Sequence, residues 1–196
     1  NIYNSVLKKI KDSIAKNKII VSIAAGINID SIENIIGKDK KVVRTMPNTP
    51  AQVLQGMTAV TFNGNMDKEE KEIIFKLLNS FGETVEIEEK HMHAFTGISG
   101  SLPAYVYIFA EALADGGVLE GLPRNEAYKI AAQAIKGSAQ MILETGKHPA
   151  ELRDGVTSPG GTAIAGIHAM EARGIRAALM DAVMAALAKS DEMGRK

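Results

Sequence analysis

The chain has 196 residues, 45% of them hydrophobic, and its 23 basic residues balance 23 acidic ones. That is enough for one large domain or two small ones, and the balanced charge argues against a nucleic-acid partner, which usually meets a basic excess. No apolar run reaches the roughly 18 residues of a bilayer span and there is no cysteine, so the expected protein is cytoplasmic, with no membrane partner, disulfide or thiolate metal site.

Val6, Leu7, Ile10 and Ile14 follow helical spacing, and Lys18 leads into Ile19–Ile23, an apolar run short enough for a buried strand. Asp30 begins a short helix carrying Ile32, Ile35 and Ile36, which Gly37 ends. Residues 41–45 and 58–62 read as the next strands. Asp67 then caps a helix with Ile73, Ile74, Leu77 and Leu78 inward, and 83–88 is a last strand at or near an edge. Such alternation predicts an open, mostly parallel sheet with helices on its faces.

Composition then shifts. Residues 1–93 hold 14 of the 22 Ile but only 5 of the 26 Ala, so strand formers give way to helix formers in the remainder. Helices are expected over 101–120, 124–145, 149–156, 161–173 and 175–192, with Gly116–Gly117, Gly121, Gly146 and Gly174 at their ends and Pro123 and Pro149 near their starts. Several are apolar on more than one side and would bury poorly alone. The inference is a dimerising helical domain, with a self-contained bundle as the alternative. The fold class is α/β then all-α, with domains at 1–90 and 91–196.

Three segments could carry chemistry. In open α/β sheets ligands bind outside the carboxyl ends of the strands. Met46–Pro47–Asn48–Thr49–Pro50–Ala51 lies at such an end, beside Ser22–Ile23–Ala24–Ala25–Gly26, where Gly26 allows close backbone approach to a flat ligand. The bland alternative is a proline-rich turn. Val156–Ala163 leads into a helix through Ser158–Pro159–Gly160–Gly161–Thr162, leaving N–H groups and a partial positive charge for an anion; the alternative is capping by Ser158 or Thr162. Thr96–Tyr105 is Gly/Ser-rich before a long helix, for function or for close packing. His91 and His93 have no third ligand, so no metal is expected. No Ser/His/Asp order and no carboxylate pair stands out.

Thr157–Ser158–Pro159–Gly160–Gly161–Thr162, preceded by Leu152–Arg153–Asp154, resembles the signature of the pyrroline-5-carboxylate reductases. Arg44–Pro50 resembles their nicotinamide-side loop, and Thr96–Gly100 with Pro103–Ala104–Tyr105 resembles their domain junction, continued by Glu111–Val118. The resemblance implies a Rossmann-type NADPH- or NADH-binding domain followed by an interlocking helical domain. It implies reduction of an imino acid, 1-pyrroline-5-carboxylate, to L-proline, by dimers that assemble up to decamers. Carried onto this sequence, the substrate meets Ser158, Gly160, Gly161, Thr162 and Ala163, with Thr162 in the catalytic position. The cofactor meets Ala24, Ala25, Gly26, Met46, Pro47, Asn48 and Thr49.

The sequence departs from the family at three places. It contains no G-x-G turn to cradle a pyrophosphate, so the N-terminal part of the dinucleotide domain is expected to be missing and the chain alone inactive. Leu102 stands where the family has Gly, and Ala163 where it has Thr. A β-hydroxyacid dehydrogenase-like enzyme shares the layout but needs a Lys on the junction helix, and Ser101–Ala112 has none. A non-catalytic helical assembly protein is the remaining alternative.

Overall fold

The computed structural model describes residues 2–194, with side chains through Glu192. It forms two compact units, one of Asn1–Pro103 with Ala182–Lys196, the other of Ala104–Asp181.

The first unit contains α1 (Ile2–Ile10), β1 (Ile19–Ser22), α2 (Ile29–Ile36), β2 (Lys41–Met46), β3 (Gly56–Phe62), α3 (Lys68–Leu78) and β4 (Gly82–Glu86). The strands lie in the order β1-β2-β3-β4, which puts β4 at an edge as expected. β1 runs parallel to β2, and β3 to β4, but β2 and β3 are antiparallel. The expected mostly parallel sheet is therefore a mixed one. The cause is the link over residues 47–55, which is shorter than the dozen or so residues a parallel crossover needs.

Strand alternation sends Val42 and Val43 to opposite faces, and both are fully buried. Val42 packs with Leu7, Ile29, Ile32 and Ile36, and Val43 with Val60, Ile74 and Leu78. Helices thus cover both faces. Asp67 caps α3 as expected, in a reciprocal capping box with Glu70. Ile74 and Leu78 point inward, but Ile73 and Leu77 are 61% and 53% exposed. They sit about 100° round the helix from that line, beyond the cover of the sheet. α2 starts earlier than expected, because Asn28 is its cap and accepts from the Ser31 N–H at 2.8 Å.

β3 and β4 begin on a glycine pair, Gly56 opposite Gly82. Gly82 has φ 149°, and a Cβ there would collide with the Gly56 backbone. Past β4, α4 (Met92–Phe95) runs through a π-helical turn, Thr96–Gly100, into α5 (Leu102–Leu119). A Cβ at Gly97 would lie 3.1 Å from the Val183 carbonyl oxygen and 3.3 Å from Leu187 Cγ. Gly97 therefore serves close packing against the last helix.

The second unit is all-helical: the rest of α5, then α6 (Arg124–Thr145), α7 (Pro149–Gly155), α8 (Thr162–Ala172) and the first part of α9 (Ile175–Gly194). Gly116–Gly117 does not end α5, contrary to expectation. The helix passes through, a Cβ on Gly117 would meet Leu122 Cδ1 at 3.1 Å, and the turn falls at Gly121 with φ 94°. Buried residues on α5 and α6 are the small Ala114, Ala127 and Ala131, while Ile108, Leu143, Leu179 and Met180 are exposed. The helical run Glu89–Leu119 is long and apolar enough to cross a bilayer by length and composition alone, although no unbroken apolar run of that length exists in the sequence.

Candidate active site

The parallel pairing of β1 with β2, in the register Ser22↔Arg44, sets their carboxyl-end connections side by side. Ser22 is buried and organises this end. Its Oγ accepts from Tyr3 Oη at 2.8 Å and from the Ala24 N–H at 3.3 Å, and its carbonyl accepts from Thr45 Oγ1 at 3.1 Å. Ala24 and Gly26 are half-buried and Ala25 is exposed. Gly26 takes φ 75°, a conformation that other residues adopt only with strain.

On the neighbouring connection Met46, Pro47 and Asn48 are half-buried and Thr49 is exposed. The Asn48 amide is engaged at both ends: Nδ2 donates to Ser99 Oγ at 3.1 Å and to the Ser99 carbonyl at 3.3 Å, and Oδ1 accepts from the Met57 N–H at 2.9 Å. Its side chain thus pins the loop to β3 and to the π-helical turn. That turn is closed by Ser101 N–H donating to the Thr96 carbonyl at 3.0 Å, and π-turns of this kind recur at functional sites.

Sequence reasoning gave no individual role to two residues here, Arg44 and Glu89. Arg44 is buried within β2, and its Nη1 donates to Glu89 Oε1 at 3.0 Å. The same oxygen accepts from the Ile29 N–H at 2.7 Å. A charged residue in the middle of an apolar strand was the available signal, since buried arginine requires a partner; which carboxylate supplies it, 45 residues on, only the fold reveals.

The second candidate segment lies in the helical unit, where residues 157–161 turn into α8. Gly160 has φ 69°, and the Gly161 N–H donates to the Ser158 carbonyl at 3.0 Å. Gly161 is the N-cap. No side chain caps the helix and no acidic residue occupies its first turn. Capping by Ser158 or Thr162, the bland alternative, is therefore not what the segment does. Ser158, Gly160 and Thr162 are exposed, Gly161 and Ala163 half-buried. A Cβ on Gly161 would collide with Ser158 Oγ. An open groove of about 520 Å³ runs from this start along α8, past Ile164, Ile167 and His168.

The histidines have local partners. His93 Nδ1 lies 3.1 Å from Ser190 Oγ, and His148 caps α7 by accepting from the Ala150 N–H at 3.2 Å. Among the described residues no three His, Asp or Glu side chains gather as a metal site would require.

A doubly covered sheet with loops at the ends of parallel strands, followed by an all-helical unit rich in exposed apolar residues, is the layout of a dinucleotide-dependent oxidoreductase with a helical dimerisation region. Residues 89–193 match the family of pyrroline-5-carboxylate reductase dimerisation domains. The pyrroline-5-carboxylate reductase of Escherichia coli is 46% identical over 190 residues, covering 97% of this chain and 71% of the relative. That of Glycine max is 45% identical, over 98% of this chain and 70% of the relative. Among solved structures, a Plasmodium falciparum pyrroline carboxylate reductase with NADP bound superposes with a TM-score of 0.91 at 39% identity, covering 98% of this chain and 77% of that one. The Coxiella burnetii enzyme gives 0.91 at 32% identity, covering 98% and 72%. The chain belongs to the pyrroline-5-carboxylate reductase family.

Proposed function

We propose that the connections after β1 and β2 hold the nicotinamide end of NADPH or NADH, and that the start of α8 holds the carboxylate of 1-pyrroline-5-carboxylate. Membership of the family makes the protein an NAD(P)H-dependent oxidoreductase of proline biosynthesis acting on a C=N bond. The β-hydroxyacid dehydrogenase and non-catalytic readings are set aside on that ground. A functional division at 1–90 and 91–196 accords with a dimerisation match that begins at residue 89.

For the cofactor, the residues present fit one end. Gly26 with φ 75° and the half-buried Ala24, Met46 and Pro47 offer close backbone approach to a flat ring, while the sequence contains no G-x-G turn for a pyrophosphate. When bound, the dinucleotide supplies the hydride that reduces the imine carbon. The chain's own task is to bind and orient. A protonated imine is already electrophilic, so positioning and a grip on the carboxylate suffice without a dedicated acid–base pair. Ala24, Ala25, Gly26, Met46, Pro47 and Thr49 line the cofactor side, and Asn48 holds the loop in shape.

One observation carries the substrate assignment: α8 begins behind Gly160–Gly161 with no side-chain cap and no acidic residue in its first turn. Its first N–H groups and the positive end of its dipole are thus left for an anion. Ser158 and Thr162 add hydroxyls beside that start, and with Ala163 in place of a hydroxyl residue Thr162 is the first-turn hydroxyl of α8. The test is Gly161→Val in the full-length enzyme. Its side chain meets Ser158, so KM for 1-pyrroline-5-carboxylate should rise about tenfold or more with kcat less affected. An unchanged KM would remove the carboxylate from α8.

The dimerisation match and the exposed apolar helices establish self-association as the protein's mode of assembly. Assembly of dimers into decamers is our extension of that, and a cytoplasmic location rests on the biosynthetic role alone.

A further inference from the structure

Glu89 sits where three segments meet. Its Oε1 accepts from the N–H of Ile29, the first residue of α2, at 2.7 Å, and from Nη1 of Arg44 near the end of β2 at 3.0 Å. Glu89 itself lies just past β4, at the head of the short turn Glu89–His91 that leads into α4. The Arg44 side chain is 7% exposed and that of Glu89 31%. One oxygen therefore fixes two otherwise separate connections: residues 23–28, which lead directly into Ile29, and residues 46–49, which begin two positions after Arg44.

The chemistry suits a clamp. Ile29 opens α2, where an N–H has no intrahelical acceptor and a negative charge is favoured. Arg44 needs a carboxylate because its guanidinium is buried, and its strand position is set by pairing with Thr61. The rigid sheet thus holds Arg44, Arg44 holds Glu89, and Glu89 holds the start of α2. The connection between β1 and α2 is then tied down at one end by Ser22 and at the other by Glu89.

We propose that Glu89 is a positioning residue for the dinucleotide: it fixes the Ala24–Gly26 connection relative to the Met46–Thr49 loop without itself touching the cofactor. This rests on the assignment of those two loops to the nicotinamide end.

The test uses the full-length enzyme with steady-state kinetics, varying NADPH and 1-pyrroline-5-carboxylate separately. Glu89→Ala should raise KM for NADPH about tenfold while kcat at saturation and KM for the imine change less than about threefold. Glu89→Gln keeps an acceptor oxygen at the same reach but not the charge that buried Arg44 needs, so it should recover part of the loss and melt below the parent. Because Glu89→Ala strands a buried charge and can prevent folding, the double variant Arg44→Met/Glu89→Leu is made beside it. That variant removes the acceptor with no unpaired ion, a change that cores commonly tolerate. It should melt near the parent temperature and still show the raised KM for NADPH. A folded double variant with an unchanged KM for NADPH, or one that loses kcat with both KM values unchanged, overturns the proposal. Failure of the parent enzyme to oxidise NADPH with the imine would instead overturn the functional reading beneath it.

Discussion

Single residues in the sheet show where chemistry and packing pull apart. Thr58 and Thr84 are cross-strand partners in β3 and β4, and both Oγ1 atoms are buried without a hydrogen-bond partner. A buried hydroxyl with no protein partner gives up the water it had in the unfolded chain without gaining a protein hydrogen bond. Thr58→Val keeps the shape and removes the hydroxyl, so it should stabilise the protein by about 1 kcal/mol in a denaturant titration; a destabilised variant would show that the hydroxyl has a partner after all. The glycines at the start of α8 follow different rules from one another. Gly160 is fixed by its backbone angle, with φ 69° and open space around it, whereas Gly161 is fixed by its neighbour, Ser158. Sequence inspection treated the pair as one anion-binding feature.

Among the elements, α3 was the most legible. The Asp67 cap could be read from local order, because the capping box it forms with Glu70 is satisfied within four residues. Asp67→Ala should cost about 1 kcal/mol of stability, measured by chemical denaturation, with the enzyme's KM values unaltered. The width of the apolar stripe was misjudged: Ile73 and Leu77 obey the same periodicity as their neighbours but face outward. Periodicity states which residues share a line, not how far the sheet extends over it. Gly116–Gly117 was misread for a related reason, since a glycine pair can stop a helix or let a helix be approached closely. Leu122, folding back on Gly117, decides for the second. The glycines and serines around residue 100 likewise resolved into a π-helical turn that Asn48 holds from outside, a bond spanning 51 residues that no local pattern encodes.

At the scale of the molecule, the helical unit cannot be explained as a self-sufficient core. Its buried side chains on α5 and α6 are alanines, and its larger apolar residues face outward. Water contact at so many large side chains is a cost that association removes. Leu179 is 51% exposed on α9 within that unit. Leu179→Asp should shift the full-length protein toward monomer in sedimentation velocity at micromolar concentration, since a charge placed in an apolar contact has no partner there; an unaltered sedimentation profile would place the association surface elsewhere. The same exposure accounts for the helical run over Glu89–Leu119 meeting the hydropathy of a bilayer span: an apolar surface made for another protein surface has the composition of one made for lipid.

By itself, the sequence determined what depends on near neighbours. It set the strand–helix alternation followed by helices, the capping of α3, the Gly-Gly start of α8, and the motifs that mark the pyrroline-5-carboxylate reductase family. Each of these is written within a few residues, and local hydrogen bonding or residue size enforces it. The tertiary structure decided the reversal between β2 and β3, the inward choice of Ile74 over Ile73, the holding role of Asn48 and the clamp of Arg44, Glu89 and Ile29. These depend on partners 45 to 60 residues apart for the clamp and on where the sheet ends for the rest. Folding alone brings such partners together, because a buried charge or an unpaired N–H takes whatever acceptor the assembled chain presents.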